Sequence, residues 1–241
     1  MINLTKFSSF FIANWKLNGD FKFIDSFLKQ LKITKNNKKC IVIAPNSIYL
    51  NYIISRKKNF FVSSQNTSIF ENGAYTGEIS STSLNDLGVD FCIIGHSERR
   101  QYFNEDDETI KIKAKSLINN NIAPVICIGE TIEERKNGKT EEKIENQIRK
   151  CIPDNSNNGN TILAYEPLWA IGSGLTPSLD EIDKTHENIR NISVKFNNYA
   201  VLYGGSLNVK NYQEIVDLPN VNGGLIGGAS LKINDFNQII A

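Results

Sequence analysis

Pro124-Val125-Ile126-Cys127-Ile128 and, some thirty residues on, Thr161-Ile162-Leu163-Ala164-Tyr165 are short runs almost wholly apolar from end to end. A strand without polar alternation has both faces covered, the situation of a parallel sheet packed between helices. The chain between these two runs has a helix start in Thr131 and Glu134, spaced as a capping box, and a stop in Gly138. Strand, helix, strand is thus the local unit, and it repeats in both directions. Upstream lie Phe91-Cys92-Ile93-Ile94, Phe60-Phe61-Val62-Ser63, Cys40-Ile41-Val42-Ile43-Ala44 (ended by Pro45) and Phe10-Phe11-Ile12-Ala13. Downstream lie Ala200-Val201-Leu202-Tyr203 and Gly224-Leu225-Ile226.

Helical spacing fills the gaps. Phe21, Ile24, Phe27, Leu28 and Leu31 share one face, as do Ile110, Ala114, Leu117 and Ile118. Glu105, Asp106, Asp107 and Glu108 suit the first turn of the second of these, at the positive end of the helix dipole. Thr176-Pro177 reads as the opening of a helix whose inward face carries Leu179, Ile182, Ile189 and Phe196, and Leu231 to Ile240 reads as the last helix. Eight strand units in 241 residues leave about 30 residues each. An open doubly wound sheet and a closed (β/α)8 barrel both fit such alternation. No glycine-rich dinucleotide fingerprint follows the first strand, which counts against the open sheet. The expectation is an α/β chain forming a single barrel domain over residues 1–241. The polar stretch 153–160 then falls on the N-terminal face, away from chemistry.

The formal net charge is +1, so no global field recruits nucleic acid or an anionic membrane. No apolar run approaches membrane-spanning length, and the N-terminus carries no secretory pattern. Cys40, Cys92, Cys127 and Cys151 form no C-x-x-C pair, and three of them lie in apolar runs. Buried free thiols in a reducing, cytoplasmic compartment are the ordinary reading, with a disulfide or a zinc role as the alternative. Only His96 and His186 are present, which excludes a histidine-rich metal site.

Barrel chemistry collects at the C-terminal ends of the strands. Those ends carry Asn14 and Lys16, His96, Glu166, Gly204-Gly205-Ser206 and Gly227-Gly228. Glycine turns between a strand and a helix let backbone N–H groups approach a phosphate, a placement that recurs after the last two barrel strands. Read singly, these are tight turns, a solvated lysine, a core histidine and a structural carboxylate. Together they suit a phosphate site with a cation, a base partly desolvated by its apolar neighbours, and an imidazole. The residues alone do not name the reaction.

Asn14-Trp15-Lys16, the run Gly95-His96-Ser97-Glu98-Arg99-Arg100, the run Ala164-Tyr165-Glu166-Pro167-Leu168-Trp169-Ala170, and Tyr203-Gly204-Gly205-Ser206 resemble the triosephosphate isomerase family in order and spacing. So do Gln65-Asn66, residues 73–78 and residues 227–231. The resemblance covers nearly the whole chain and implies a TIM barrel. It also implies interconversion of dihydroxyacetone phosphate and glyceraldehyde 3-phosphate, without metal or cofactor. Glu166 would be the base, His96 the group that polarises the carbonyl, and Lys16 the cation that stabilises negative charge. Asn14 would position the substrate. Gly172, Ser206, Gly205, Gly227 and Gly228 would hold the phosphate, Gly172 from a lid over residues 167–176. Glu98 would buttress the site, and Cys127 and Glu130 would be structural. A homodimer through the 65–78 loop is implied as well, with Thr76 supporting Asn14 and His96 of the neighbour. Ser173, Asn222 and Asn104 stand where Thr, Asp and Gly are frequent. A related phosphosugar barrel with another substrate, and a binding role without catalysis, are the competing readings.

Overall fold

In the computed structural model, which describes residues 1–34, 38–171 and 175–241, eight parallel strands close on themselves. They are β1 (Ser9–Asn14), β2 (Lys39–Ala44), β3 (Phe61–Ser64), β4 (Phe91–Ile94), β5 (Ala123–Ile128), β6 (Ile162–Tyr165), β7 (Ala200–Tyr203) and β8 (Gly223–Ile226). β1 pairs with β2 on one side, Ile12 opposite Val42, and with β8 on the other, Ile12 opposite Leu225. That second pairing closes the ring. Around it run α1 (Phe21–Gln30), α2 (Leu50–Ile54), α3 (Ser81–Leu87), α4 (Ser97–Phe103), α5 (Asp107–Asn119), α6 (Ile132–Lys136), α7 (Thr140–Cys151), α8 (Leu179–Asn191), α9 (Tyr212–Val216) and α10 (Ile233–Ile239).

The buried side chains fall into two sets, and the strand period of two sorts them. Phe10, Ile12, Val42, Phe91, Ile93, Val125, Cys127, Ile162, Ala164 and Leu202 fill the barrel interior. Their strand neighbours, among them Phe11, Ala13, Cys92, Ile94, Leu163, Tyr165 and Tyr203, pack outward against the helices. Two inward series end in polar groups at the barrel mouth. Phe10 and Ile12 are followed by Asn14, and Ile162 and Ala164 by Glu166. At the other end Leu4 joins the interior, and its N–H donates to Gly159 O at 3.0 Å. The polar 153–160 stretch therefore lies opposite the mouth, as expected.

Several helix boundaries differ from the sequence reading. α8 starts at Leu179, beyond Thr176-Pro177. The Ser178 hydroxyl accepts from Glu181 N–H, and the Glu181 carboxylate accepts from Ser178 N–H. This reciprocal pair outweighs proline's preset φ as a start signal. Leu179 is part-exposed, and Phe196 belongs to a separate 3-10 turn, Val194–Phe196. Asp106 caps α5 by accepting from Thr109 N–H at 2.8 Å. Glu105 lies outside that helix, buried between Arg99 and Lys113. The capping box of Thr131 and Glu134 forms as expected at α6. Asn104, in place of glycine, sits at φ 53, a left-handed cap asparagine tolerates. Asn222, in place of Asp, still accepts from Arg190 and from Val201 N–H, so the hydrogen bonds remain without the charge pair.

Candidate active site

Glu166 and His96 meet at the barrel mouth. Glu166 leaves β6 pointing inward and is buried at 2 % exposure; His96 follows the β4 turn and is 6 % exposed. Gly95 makes that turn at φ 67, and a Cβ there would stand 2.8 Å from Ile110 Cδ1. His96 Nε2 lies 3.0 Å from Glu166 Oε1. His96 Nδ1 accepts from Glu98 N–H at 3.2 Å, because His96 is the N-cap of α4. A nitrogen that accepts carries no proton, so the ring proton is on Nε2 and the imidazole is neutral. Nε2–H therefore donates to Glu166, whose other oxygen, Oε2, accepts from Ser97 N–H at 3.0 Å. Carboxylate and imidazole thus satisfy each other across the mouth. Beneath them lies Cys127, whose thiol is pushed well up by burial and then by the negative charge of Glu166. It remains a thiol.

Lys16 is held in an unusual backbone conformation. Its φ is 53, rare for a residue with a side chain. Three neighbours fix it. Asn14 Oδ1 accepts from Lys16 N–H at 3.2 Å, and Gln65 Nε2 donates to both Lys16 O at 2.9 Å and Ala44 O at 2.8 Å. Trp15, fully buried, packs edge-on against Phe23 and Phe27 and donates Nε1–H to Ser230 O. Truncating such a buried indole costs about 3–5 kcal/mol, so the residue beside Lys16 is an anchor of the fold. The Lys16 ammonium pairs with Glu98. The cation of the mouth is already compensated.

The glycine turns border the same cavity, of about 430 Å3, as Asn14, Lys16, His96 and Glu166. Gly204, Gly205, Ser206, Gly227 and Gly228 all border it. Their glycines have different reasons. A Cβ on Gly204 would stand 2.8 Å from Glu166 Cγ. A Cβ on Gly228 would meet nothing within 4 Å. The fold therefore has no packing need for glycine at 228, and the turn leaves open space beside exposed backbone, a cradle for a ligand. Ser206 Oγ donates to Ala170 O, tying β7's turn to the 3-10 turn Leu168–Ala170.

Asn14, Lys16, His96, Glu166, Gly205, Ser206, Gly227 and Gly228 are thus brought to one cavity. Gly172 lies outside the described residues. Thr76 is exposed on the 65–78 loop and borders neither this cavity nor the neighbouring groove. Glu98 borders the groove and reaches the site through Lys16 and through its N–H to His96.

Sequence reasoning missed some contributors. Gln65 was visible only as part of a motif, yet it holds the Lys16 backbone from 49 positions away. Lys232 and Asp235 border the cavity, although the sequence reading places them only within the last helix, Leu231 to Ile240. Glu130, which the sequence reading gives a structural role, is fully buried past the end of β5. Its Oε1 accepts from Tyr165 Oη, Trp169 Nε1–H and Arg135 Nη1–H, while Oε2 has no partner among the described residues.

A family model described as Triosephosphate isomerase matches residues 9–241. Curated relatives bearing that name include one from Francisella tularensis subsp. mediasiatica, 41% identical over 240 residues. Another, from Francisella philomiragia subsp. philomiragia, is 39% identical over 239 residues. In both, the match covers 95% of this chain and 94% of the relative. One from Albidiferax ferrireducens is 38% identical over 237 residues, covering 95% of this chain and 96% of the relative. The match runs from the first barrel strand to the last residue and takes in every strand end that borders the cavity, and the chain belongs to the triosephosphate isomerase family.

Proposed function

We propose that this chain interconverts dihydroxyacetone phosphate and D-glyceraldehyde 3-phosphate by proton transfer through an enediolate, the step that serves glycolysis and gluconeogenesis. The observation that carries the reading is the buried pair of Glu166 carboxylate and neutral His96 Nε2–H facing a cavity walled by two glycine turns. Substrate enters between base and donor. Glu166 takes the proton from the carbon next to the carbonyl, and the carbonyl electrons move onto oxygen. His96 Nε2–H gives its proton to that oxygen and recovers one from the neighbouring hydroxyl. Glu166 returns its proton to the adjacent carbon. Protons and electrons balance among substrate, His96 and Glu166. Lys16 stabilises the developing negative charge, and Asn14 holds Lys16 and the substrate in place. The backbones of Gly205, Ser206, Gly227 and Gly228 take the phosphate, joined by Gly172 when residues 167–176 cover the site and exclude water.

The working unit is one barrel domain over residues 1–241, paired with a second copy through the 65–78 loop. Exposed apolar groups support that pairing. Phe70 and Tyr75 stack with ring centroids 3.6 Å apart on this loop, both substantially exposed. Beside the mouth a groove of about 500 Å3 is bordered by Asn14, Lys16 and His96, and by Leu17, Tyr102 and Phe103, which are 88%, 67% and 63% exposed. A partner's loop seated there covers this patch and brings Thr76 to Asn14 and His96. Thr76→Arg is expected to give a monomer of reduced activity by light scattering and assay; an active, unchanged dimer would contradict the pairing. The four buried, unpaired cysteines suit the reducing cytoplasm, where phosphorylated trioses are made.

Running the reaction from dihydroxyacetone phosphate in deuterated water tests the chemistry. Transfer through Glu166 puts deuterium from solvent on the carbon that receives the proton. Product free of deuterium under all conditions points to a direct hydride shift and sinks the enediolate reading.

A further inference from the structure

Lys16 is the obvious cation of the site, yet its ammonium is already paired with Glu98. The same cavity holds the Glu166 carboxylate. A doubly charged phosphate arriving here meets one compensated cation, one anion and whatever else borders the space. Lys232 and Asp235 border it too, as does the Gly227–Gly228 turn. The Lys232 side chain is exposed and makes no ion pair among the described residues.

Its backbone is firmly placed. Lys232 N–H donates to Ala229 O at 3.3 Å, at the end of the 3-10 turn Gly228–Leu231. Lys232 O accepts from Phe236 N–H at 2.9 Å, and Phe236 is fully buried in α10. The Lys232 Cα is therefore held four residues from Gly228, and its exposed side chain borders the cavity that the turn lines. Lys16 approaches the same turn from the catalytic side, its Cε 3.6 Å from where a Cβ on Gly227 would be. Both lysines border the cavity that contains the proposed phosphate cradle.

We propose that Lys232 is a substrate-binding residue that supplies the uncompensated positive charge for a phosphate dianion, with Asp235 opposing it. This rests on the proposed phosphate position at Gly227 and Gly228. Lys16 then serves the reacting oxygens, and Lys232 serves charge recognition at the far end of the substrate. Removing Lys232 weakens binding of any small phosphate dianion. Removing the Asp235 charge strengthens it. One charge acting across a part-solvated gap corresponds to a roughly three- to tenfold change in affinity. Both effects shrink as salt is added, because the lysine is exposed.

The test compares parent, Lys232→Gln, Lys232→Arg and Asp235→Asn. Inorganic phosphate binding is measured by calorimetry, and KM and kcat for glyceraldehyde 3-phosphate by coupled assay. Lys232→Gln is expected to weaken phosphate binding and raise KM by the same factor, with kcat moving much less. Lys232→Arg restores both, and Asp235→Asn shifts both the other way. Parental phosphate affinity in Lys232→Gln overturns the proposal. So does a loss confined to kcat and melting temperature, which is the mark of a structural role. A parent that binds phosphate without turnover refutes the isomerase reading instead, and the calorimetric comparison still decides on Lys232.

Discussion

Gly204→Ala places one methyl group against the base. The new Cβ would lie 2.8 Å from Glu166 Cγ and 3.1 Å from Tyr165 O. Carbon atoms pack at about 3.5–4.0 Å, so Glu166 Cγ has to retreat by roughly 0.7–1.2 Å. The backbone cannot move instead, because Gly204 N–H is bonded to Tyr165 O at 2.7 Å within the closed sheet. The 3.0 Å contacts of the carboxylate to His96 Nε2 and Ser97 N then open toward 4 Å. A displacement of that size from the attack position is worth about 100-fold in rate, or ~2.7 kcal/mol. Crowding costs about 1–3 kcal/mol of stability, and alanine's backbone adds little, since φ at 204 is not positive. The assay is kcat by coupled turnover beside a thermal melt. Gly228→Ala is the companion, since its Cβ meets nothing within 4 Å. It is expected to melt like the parent and to raise KM by filling the phosphate cradle. Parental kcat in Gly204→Ala would refute the claim that this glycine sets the position of the base.

Glu166→Asp retracts the carboxylate by one methylene and is expected to fold normally while kcat falls about 100- to 1000-fold; full activity would remove Glu166 as the base. Gln65→Met deletes the two hydrogen bonds that Gln65 gives to Lys16 O and Ala44 O, leaving the Asn14 bond to hold the left-handed Lys16 turn, and kcat/KM is expected to fall roughly tenfold, with parental kinetics contradicting that link. His186 is fully buried with no side-chain partner for either ring nitrogen among the described residues, and burial, opposed by the Asn220 backbone and aided by Arg190, lowers its pKa from 6.5 to about 3. Folded and unfolded chains both carry it neutral above pH 6.5. Below that the unfolded chain takes the proton first, so stability falls on the order of 1 kcal/mol per pH unit toward pH 3. Melting of parent and His186→Phe across pH 7 to 4 checks this: the variant's curve should be flatter, and parallel curves would contradict it.

The barrel was legible because every β strand carries its own instruction. Runs such as residues 124–128 and 161–165 are apolar on both faces, and eight such units without a dinucleotide fingerprint favour the closed sheet over the open one. The proposed catalytic pair was legible for a related reason, since His96 and Glu166 stand within two residues of the ends of β4 and β6. What stayed hidden depends on residues far apart in the chain. Gln65 reaching Lys16, Gly204 underlying Glu166, and Lys232 bordering the cavity are tertiary facts with no local signature. The missed start of α8 was a contest between two local signals, proline's φ and the bonds of Ser178 with Glu181, and the sequence does not rank them.

The most direct measurement is a coupled assay of purified protein with glyceraldehyde 3-phosphate, in excess chelator, beside Glu166→Gln. Robust turnover by the parent, lost in the variant, is the expected result and places a metal-independent isomerisation on Glu166. A folded parent without turnover, or a variant as active as the parent, would contradict it.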